Sequence, residues 1–270
     1  MSSWLDRPFR VGTSSYIIPD DILPNVRYLA GQVRDVELVL FELDDGMSNL
    51  PDRAQIAELR ALAAGNDLTF TVHLPLDLRL AEDGSTRHVS LQKAQRVLAC
   101  SLDLDPWAFV LHLDGKTLRE PQSADATRRW QDQAVRSLEQ VGTWAGGLQR
   151  LALENLEGYP PDFHGPVLER LPISRCVDIG HLWVDGLDPV PYLEQALPRT
   201  RVIHFHGIDE RDHRSLAFMP ENKIRPVLDA LKQANYTGVL TVEVFSQPDF
   251  LSSMEILQRI LARPEHDRND

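Results

Sequence analysis

Short runs rich in Val, Ile, Leu and Phe recur eight times along the chain, with starts roughly 25 to 40 residues apart. Each run has the length of a buried strand, and each interval leaves room for a helix and two loops. The runs begin at Arg10, Val36, Leu68, Ala108, Arg150, Arg175, Arg201 and Val239. The pattern predicts eight strands in succession.

The intervals between these runs carry a second pattern. Apolar residues recur at helical spacing in residues 52–64, 90–102, 124–144, 189–196 and 224–234. Asp52, Asp188 and Asn222 stand where three of these helices would begin. Short polar side chains favour that position because they accept hydrogen bonds from free backbone N–H groups. Strand and helix alternate, which predicts an α/β protein.

Near-continuous apolar strands are typical of parallel sheets that are covered on both faces. Eight strands, each followed by a helix, predict a (β/α)8 TIM barrel, because that number closes around a side-chain-filled interior. An open doubly wound sheet is the alternative, but no glycine-rich nucleotide loop follows the segment VGTSSY. No Pro-, Ser- or Gly-rich linker divides the chain, so we expect one domain over residues 1–270.

Composition narrows the possible partners. The formal charge of −12 disfavours duplex nucleic acid, whose binding depends on Lys and Arg neutralising phosphates. No apolar run reaches the roughly 18 to 20 residues that span a bilayer, and the first residues lack the apolar segment of a secretory signal. Cys100 and Cys176 are the two cysteines, too few and too far apart for a disulfide scaffold. We therefore expect a cytoplasmic protein that acts on a small molecule.

Ionisable side chains gather at the C-terminal ends of the predicted strands, where the chemistry of such barrels takes place. Six consecutive strands, from the third to the eighth, end in side chains able to bind a metal ion. They are His73, His112, Glu154, Asp178 with His181, His204 with His206, and Glu243. The convergence of so many ligands predicts a metal site at the mouth of the barrel.

The stretch RVIHFHGIDERDH adds His213 to this set. Side chains alternate along a strand, so His204 and His206 face the same side. His206 lies nearer the rim and is the expected ligand, with His204 packed behind it. Imidazole together with carboxylate suits Zn²⁺, Mn²⁺ or Fe²⁺. The ligands outnumber those of one tetrahedral zinc, so two or three ions are expected.

Several segments resemble those of the xylose-isomerase-like barrel superfamily. VDIGHLWVDGLDP is similar to its D-x-G-H segment and the following G-x-D, and VHLP, VLHLDG, LENLEG, HFHGID and VEVF are similar to its other strand ends. The superfamily includes endonuclease IV-type apurinic-site endonucleases and many sugar isomerases and epimerases. The resemblance covers essentially the whole chain and implies a metal-dependent enzyme on this barrel.

The resemblance implies two possible sites. An endonuclease-type site with three ions would use His73, His112, Glu154, Asp178, His181, His206, Asp212, His213 and Glu243. An isomerase-type site with one ion would need Glu154, Asp178, His206 and Glu243. In that site the two glutamates would also transfer protons, while His181 and Arg211 hold the sugar. The additional histidines favour phosphodiester hydrolysis over isomerisation.

Two departures from the endonuclease pattern bear on the substrate. The endonucleases carry their last two ligands as D-x-H, whereas Asp212 and His213 are adjacent, so we expect one of the two to miss the metal. The glycine-rich P-x-G-x-G that follows in those enzymes is replaced by FMPENK. Together with the negative charge, these departures disfavour abasic DNA as the substrate.

The N-terminal segment VGTSSYIIPDDILPNVRYLAGQVRDVELVLFE resembles the cobamide-remodelling phosphodiesterases of the CbiR type, a branch of the superfamily. Those enzymes cleave the phosphodiester in the nucleotide loop of corrinoids. The resemblance implies hydrolysis of a small phosphodiester, with catalytic roles for Glu154, Glu243 and His181. A one-metal sugar isomerase or epimerase is the first alternative. A non-catalytic barrel that binds a corrinoid or a sugar is the second.

Some further residues are candidates for contact with the substrate. Arg79 and Arg87, in the loop after the third strand, could hold a phosphate through paired hydrogen bonds. Glu42, at the end of the second strand, could accept a hydrogen bond. Solvated loop charges are the alternative for all three. We expect both cysteines to be buried and inert, with Cys176 off the strand face that carries Asp178.

Overall fold

A computed structural model describes residues 5, 7–43, 46–76, 78–80, 89–114 and 122–262 of the chain. Eight parallel strands close into one barrel in chain order. They are β1 (Arg10–Ser14), β2 (Asp35–Val39), β3 (Thr69–His73), β4 (Phe109–Leu111), β5 (Leu151–Glu154), β6 (Ser174–Asp178), β7 (Thr200–His204) and β8 (Val239–Val242). The barrel closes where β1 pairs with β8, from Arg10 beside Val239 to Thr13 beside Val242. The predicted (β/α)8 TIM barrel is confirmed.

The α-helices of the described residues surround this barrel. They are α1 (Ile22–Leu29), α2 (Arg53–Asn66), α3 (Val89–Ser101), α4 (Ala124–Ala145), α5 (Gly165–Arg170), α6 (Ile179–Val184), α7 (Pro189–Ala196), α8 (Glu221–Gln233) and α9 (Gln247–Ala262). The five predicted helices correspond to α2, α3, α4, α7 and α8. Within the described residues, no helix combines the length and the apolar character needed to span a bilayer.

Two of the three predicted helix starts are confirmed. Asp52 accepts a hydrogen bond from the backbone N–H of Gln55 at the start of α2, and Asp188 caps α7 in the same way. The prediction for Asn222 is wrong, because α8 begins at Glu221 and Pro220 takes the capping position. Proline fixes its own φ near the value found there, so the loop enters the helix two residues earlier than the side chains suggest.

The barrel interior is apolar on one side and polar on the other. The apolar side is a small buried cluster, separate from the main core between strands and helices. It consists of Ala108, Val110, Ala152, Cys176 and Val202. The polar side, on β2, β3 and β8, carries the fully buried Asp35, Glu37, Thr71 and Thr241. Buried carboxylates are costly unless charge or hydrogen bonds offset them, so the polar side needs partners within the barrel.

His164 is a buried histidine at the start of α5. Among the described residues, neither nitrogen of its ring has a hydrogen-bond partner. Burial, with a smaller effect from the charge of Arg175, lowers the pKa of His164 to about 3. The folded protein therefore holds this imidazole neutral at a pH where the unfolded chain protonates it.

We expect His164 to make the protein less stable as the pH falls from about 6.5 towards 3, because only the unfolded state takes up the proton. The contribution is at most about 1.4 kcal/mol for each pH unit. Urea unfolding of the wild type and of His164→Phe, at about pH 7, 6 and 5, measures it. The free energy of unfolding of the variant minus that of the wild type should increase as the pH falls. All other titrating groups are common to both proteins, so their effects cancel in this difference. A constant difference would contradict a neutral buried imidazole.

Candidate metal centre

Consecutive strands deliver ligand-type side chains to the C-terminal mouth of the barrel. Among the described residues they form four groups whose ligand atoms lie within 4.8 Å of one another, three of which consist of histidines and acids alone. These three are Glu154, Asp178, His204 and Glu243 (the central group), His73, His112 and Glu154 (the inner group), and His181, His206 and His213 (the outer group). Glu154 and the buried thiol of Cys176 also approach His204. Of the predicted metal ligands, Asp212 alone lies outside these three groups.

The central group lies at the C-terminal ends of four consecutive strands, β5 to β8, with Glu243 directly after β8. Nδ1 of His204 lies 3.3 Å from Oε1 of Glu154, 3.7 Å from Oδ2 of Asp178 and 3.0 Å from Oε2 of Glu243. We expected His206 in this position, but the structure puts His204 there. Asp178 pairs directly with His204 across β6 and β7. His206 is two residues further on, about 6.6 Å higher along the strand direction, and joins the outer group instead.

The inner group shares a carboxylate with the central group. Nε2 of His73 lies 3.2 Å from Oε2 of Glu154, and Nε2 of His112 lies 3.1 Å from the same oxygen. The other oxygen of Glu154 faces His204. One carboxylate therefore contacts both groups through different oxygens.

The outer group is assembled by the loop after β7. An isolated bridge between Gly207 and Arg214 closes this loop, and a side chain at Gly207 would collide with the backbone oxygen of Ser215 at 2.1 Å. His213 adopts a left-handed backbone with φ of 50°, which turns its ring to within 4.3 Å of the ring of His206. The ring of His181 lies 5.7 Å from that of His213.

Asp178 connects the outer group to the central group. Its Oδ1 lies 3.2 Å from Nε2 of His206, and its Oδ2 lies 3.6 Å from Nδ1 of His181. The D-x-G-H segment holds this contact in place, because the Asp178 side chain caps α6 by accepting from the backbone N–H of His181 at 2.6 Å. Gly180 is required between them, since a Cβ at that position would lie 2.0 Å from the ring of His206.

Asp212 does not join the outer group. Its carboxylate lies 3.7 Å from Nε2 of His213 and is partly exposed. The adjacency of Asp212 and His213 in the sequence explains this, because the left-handed turn that brings His213 inward leaves its neighbour outside. His206 supplies the third member of the group instead.

The remaining nitrogen of each of three histidines lies against a backbone carbonyl. Nδ1 of His73 is 2.7 Å from the oxygen of Leu74, and Nδ1 of His181 is 2.9 Å from the oxygen of Asn155. Nδ1 of His206 is 3.1 Å from the oxygen of Gly207, but it also lies 3.0 Å from the backbone N–H of His213, from which it can accept a hydrogen bond. When Nδ1 donates to such a carbonyl, the lone pair stays on Nε2. In His73 and His181 this orientation suits a metal ligand.

The carboxylates of the centre are held ionised by the imidazoles around them. Burial raises the pKa of Glu243, but His204 and His213 lower it to about 2 overall. Burial likewise opposes ionisation of Glu154, and His204 with His112 lowers its pKa well below the ordinary value. Negative charge is therefore concentrated in a buried place.

The same interactions act on the histidines in the opposite sense. Burial lowers the pKa of His73, but the hydrogen bond and charge of Glu154 raise it to about 9 overall. Burial also lowers the pKa of His181, and Asp178 with Glu154 raises it to about 9 overall. The centre therefore requires positive charge, which protons on the imidazoles or divalent cations can supply.

The donor atoms fit divalent cations. Nδ1 of His213 is buried 3.5 Å from Oε2 of Glu243 and has no hydrogen-bond partner among the described residues. Unpartnered ligand atoms of this kind are costly in a protein interior unless something binds them. The combination of imidazole and carboxylate suits Zn²⁺, Mn²⁺ or Fe²⁺. The identity and number of ions stay predictions.

The structure changes the interpretation of the predicted substrate contacts. The carboxylate of Glu42 is engaged by Arg96 of α3, with Nη2 at 2.6 Å and Nε at 2.7 Å. The sequence does not reveal that Arg96 of α3 reaches the loop that carries Glu42. A contact between Glu42 and a substrate would compete with this ion pair. Arg79 and Arg211 are exposed. Arg87 lies outside the described residues.

The prediction for the position of Cys176 is wrong. Its thiol is buried in the barrel interior and lies in a group with Glu154 and His204. Residues two apart in a strand share a face, so Cys176 and Asp178 point to the same side of β6. Burial raises the pKa of Cys176 well above its usual value, which keeps the thiol protonated and agrees with the inert role expected for it.

The fold and this mouth define a (β/α)8 barrel with a candidate metal centre. Residues 32–260 match the family described as xylose isomerase-like TIM barrel. The chain belongs to this family. No curated protein sequence matches the chain.

Several solved structures share the fold. A D-tagatose 3-epimerase-like protein is 19% identical with a TM-score of 0.77, and the match covers 94% of this chain and 97% of that one. The 3-keto-D-glucoside 4-epimerase from E. coli is 16% identical with a TM-score of 0.68, covering 94% and 100%. Endonuclease IV from Thermus thermophilus is 18% identical with a TM-score of 0.64, covering 94% and 99%. At these identities the likeness establishes the fold alone.

We expect the purified protein to bind more than one divalent ion per chain. Three groups adjoin one another, and one tetrahedral ion needs four ligands. Elemental analysis of protein prepared without chelator, compared with His112→Ala and His206→Ala, measures the count. Each variant should hold fewer ions than the wild type, while His164→Phe serves as a control outside the groups. One ion per chain in the wild type and in all three variants would contradict this prediction.

Proposed function

We propose that this protein is a metal-dependent phosphodiesterase that hydrolyses a small phosphodiester. The observation that supports it is the continuity of the three groups, in which Glu154 belongs to two and Asp178 contacts the third. When bound, cations in adjoining groups would lower the pKa of water and neutralise the oxygens on both sides of a phosphodiester. A one-ion reaction has no evident use for the inner and outer groups.

The side chains of the groups differ in how far a substrate can reach them. The side chains of His73 and His204 are 2% and 0% exposed, whereas those of His112 and His213 are 19% and 25% exposed. A phosphate would therefore approach from the side of His112 and His213, above the central group. In this arrangement Glu154 and Asp178 fix the distances between the groups. The buried His73 and His204 contact these carboxylates from within the barrel.

A pocket beside the outer group offers space for a bulky substituent on that phosphate. Its volume is about 690 Å³, and its walls are the loops after β1 and β8. The apolar lining residues include Tyr16, Ile17, Ile18, Pro19, Phe245 and Pro248. The ring of Phe245 is 5.2 Å from the ring of His213. A largely apolar wall next to the centre suits a large apolar group better than a small hydroxylated sugar.

The pocket and the N-terminal resemblance involve the same residues. Residues 16–20 line the pocket and lie within the segment that resembles the cobamide-remodelling phosphodiesterases. We therefore propose a cobamide as the substrate, with the phosphodiester of its nucleotide loop as the bond that is cleaved. The formal charge of −12 favours such a compact substrate over duplex DNA.

A sugar isomerase or epimerase is the second candidate. The central group is complete by itself, with four ligand-type residues, and would serve a one-ion enzyme. Glu154 and Glu243 would then exchange a proton with the sugar carbon. Two of the three solved structures given above are named as an epimerase or epimerase-like protein, and this favours the second candidate.

Replacing His112 by Ala should separate the two candidates. In a phosphodiesterase the variant loses a member of the inner group, so the hydrolysis rate should fall by orders of magnitude. In an epimerase the central group keeps all four members, so the rate should stay within about tenfold. His73→Ala tests the same group independently, and His164→Phe controls for loss of a histidine elsewhere. Unchanged phosphodiester hydrolysis in both inner-group variants would contradict the proposal.

The substrate itself is tested by incubation with a complete adenosylated cobamide, followed by chromatography and mass spectrometry. Water should add across the phosphodiester, so that the phosphate stays on cobinamide phosphate and the lower-ligand riboside leaves as an alcohol. Abasic duplex DNA should remain uncut. Parallel reactions contain ketohexoses and inososes. An intact cobamide beside an interconverted sugar would establish the second candidate, and tight corrinoid binding without turnover would indicate a non-catalytic barrel.

A further inference from the structure

Glu37 lies in the barrel interior, directly below the central group. Its side chain is fully buried on β2, and its Oε2 lies 3.0 Å from Nε2 of His204. The opposite nitrogen of that ring, Nδ1, faces the carboxylates of the central group. The imidazole of His204 therefore lies between Glu37 on one side and the candidate ligands on the other.

This arrangement differs from that of the other oriented histidines. His73 and His181 turn their second nitrogen towards a neutral backbone carbonyl. His204 turns its second nitrogen towards a carboxylate. A carboxylate partner fixes the tautomer as a carbonyl does, and it also makes the imidazole a more basic ligand.

Burial of Glu37 is costly without a source of positive charge. Its second oxygen, Oε1, is buried and has no hydrogen-bond partner among the described residues. A buried carboxylate that gains one hydrogen bond from a neutral ring recovers only part of its desolvation cost. A cation bound on the Nδ1 side would polarise the ring and strengthen the Nε2–H donor. The contact thus stabilises Glu37 most when the central group is loaded.

We infer that Glu37 is a positioning residue for the central group. It holds His204 with Nε2 protonated and Nδ1 directed at Glu154, Asp178 and Glu243. In this way it raises the affinity of the group for a divalent cation without touching the substrate. The inference does not depend on which of the two candidate functions is correct, because both use the central group.

Metal binding to the purified, metal-free protein tests the inference without any assay of turnover. Zn²⁺ affinity is measured by calorimetric titration, and the environment of the ion by the visible absorption of Co²⁺. Glu37→Leu should weaken the binding of one ion by about 10- to 100-fold and alter the Co²⁺ spectrum. Glu37→Gln should weaken it less, because the amide oxygen can still accept from Nε2 of His204.

Asp35→Asn is the matched control. Asp35 is a fully buried carboxylate two residues earlier on the same face of β2, and its Oδ2 accepts from Thr69 and not from a histidine. The variant should keep wild-type affinity and spectrum. Equal Zn²⁺ affinity in wild type and both Glu37 variants would overturn the inference, as would an equal loss in Asp35→Asn. If Glu37→Leu does not fold, the Zn²⁺ affinities of Glu37→Gln and Asp35→Asn are compared. Weaker binding in Glu37→Gln alone supports the inference, and equal affinities overturn it.

Discussion

Crowding of buried carboxylates is the constraint on which this structure depends. Glu154, Asp178 and Glu243 bring ligand oxygens within 4.8 Å of one another, and all three side chains are almost fully buried. Two like charges at about 4 Å repel by about 4 kcal/mol at an effective dielectric constant of 20. Such a group persists only if positive charge is interleaved with it. The imidazoles of the inner and outer groups and of His204 provide the places where protons or cations can supply that charge.

The barrel satisfies this constraint through the alternation of its strands. Every second residue of a parallel strand faces the interior, so each strand end can offer one ligand at a similar depth. Four neighbouring strands supply the central group. The outer group needs more than strands, because His213 belongs to a loop. The close approaches at Gly180 and Gly207 bring that loop and α6 against His206, where larger residues would push them away.

The fold and the ligand types could be predicted from the sequence, but the depth of each ligand could not. Eight apolar runs identify the barrel, and strand-end histidines and acids identify its mouth. The choice between His204 and His206 depends on the pairing of β6 with β7, which shifts register between Arg175 and Cys176 and leaves no trace in residue spacing. Glu37 was missed because its meaning comes from a contact with His204, which is 167 positions away in the chain. The two acids of β2, Asp35 and Glu37 in the segment DVELV, were the available signal of partners within the barrel.

The distribution of charge among the groups bears on the reaction. The central group has three carboxylates, which would more than neutralise one divalent cation, whereas the outer group consists of three imidazoles. Carboxylates also lie within 3.7 Å of the imidazole nitrogens of the outer group and would share the charge of a cation held there. They belong to Asp178, Glu243, Asp212 and Glu157. A divalent cation bound there would make the rim at His213 less negative on a chain whose formal charge is −12. A single phosphodiester anion would gain more from direct contact with that cation than a neutral sugar would. The rim also adjoins the apolar pocket at Phe245, so an anion with a large apolar substituent matches both features at once.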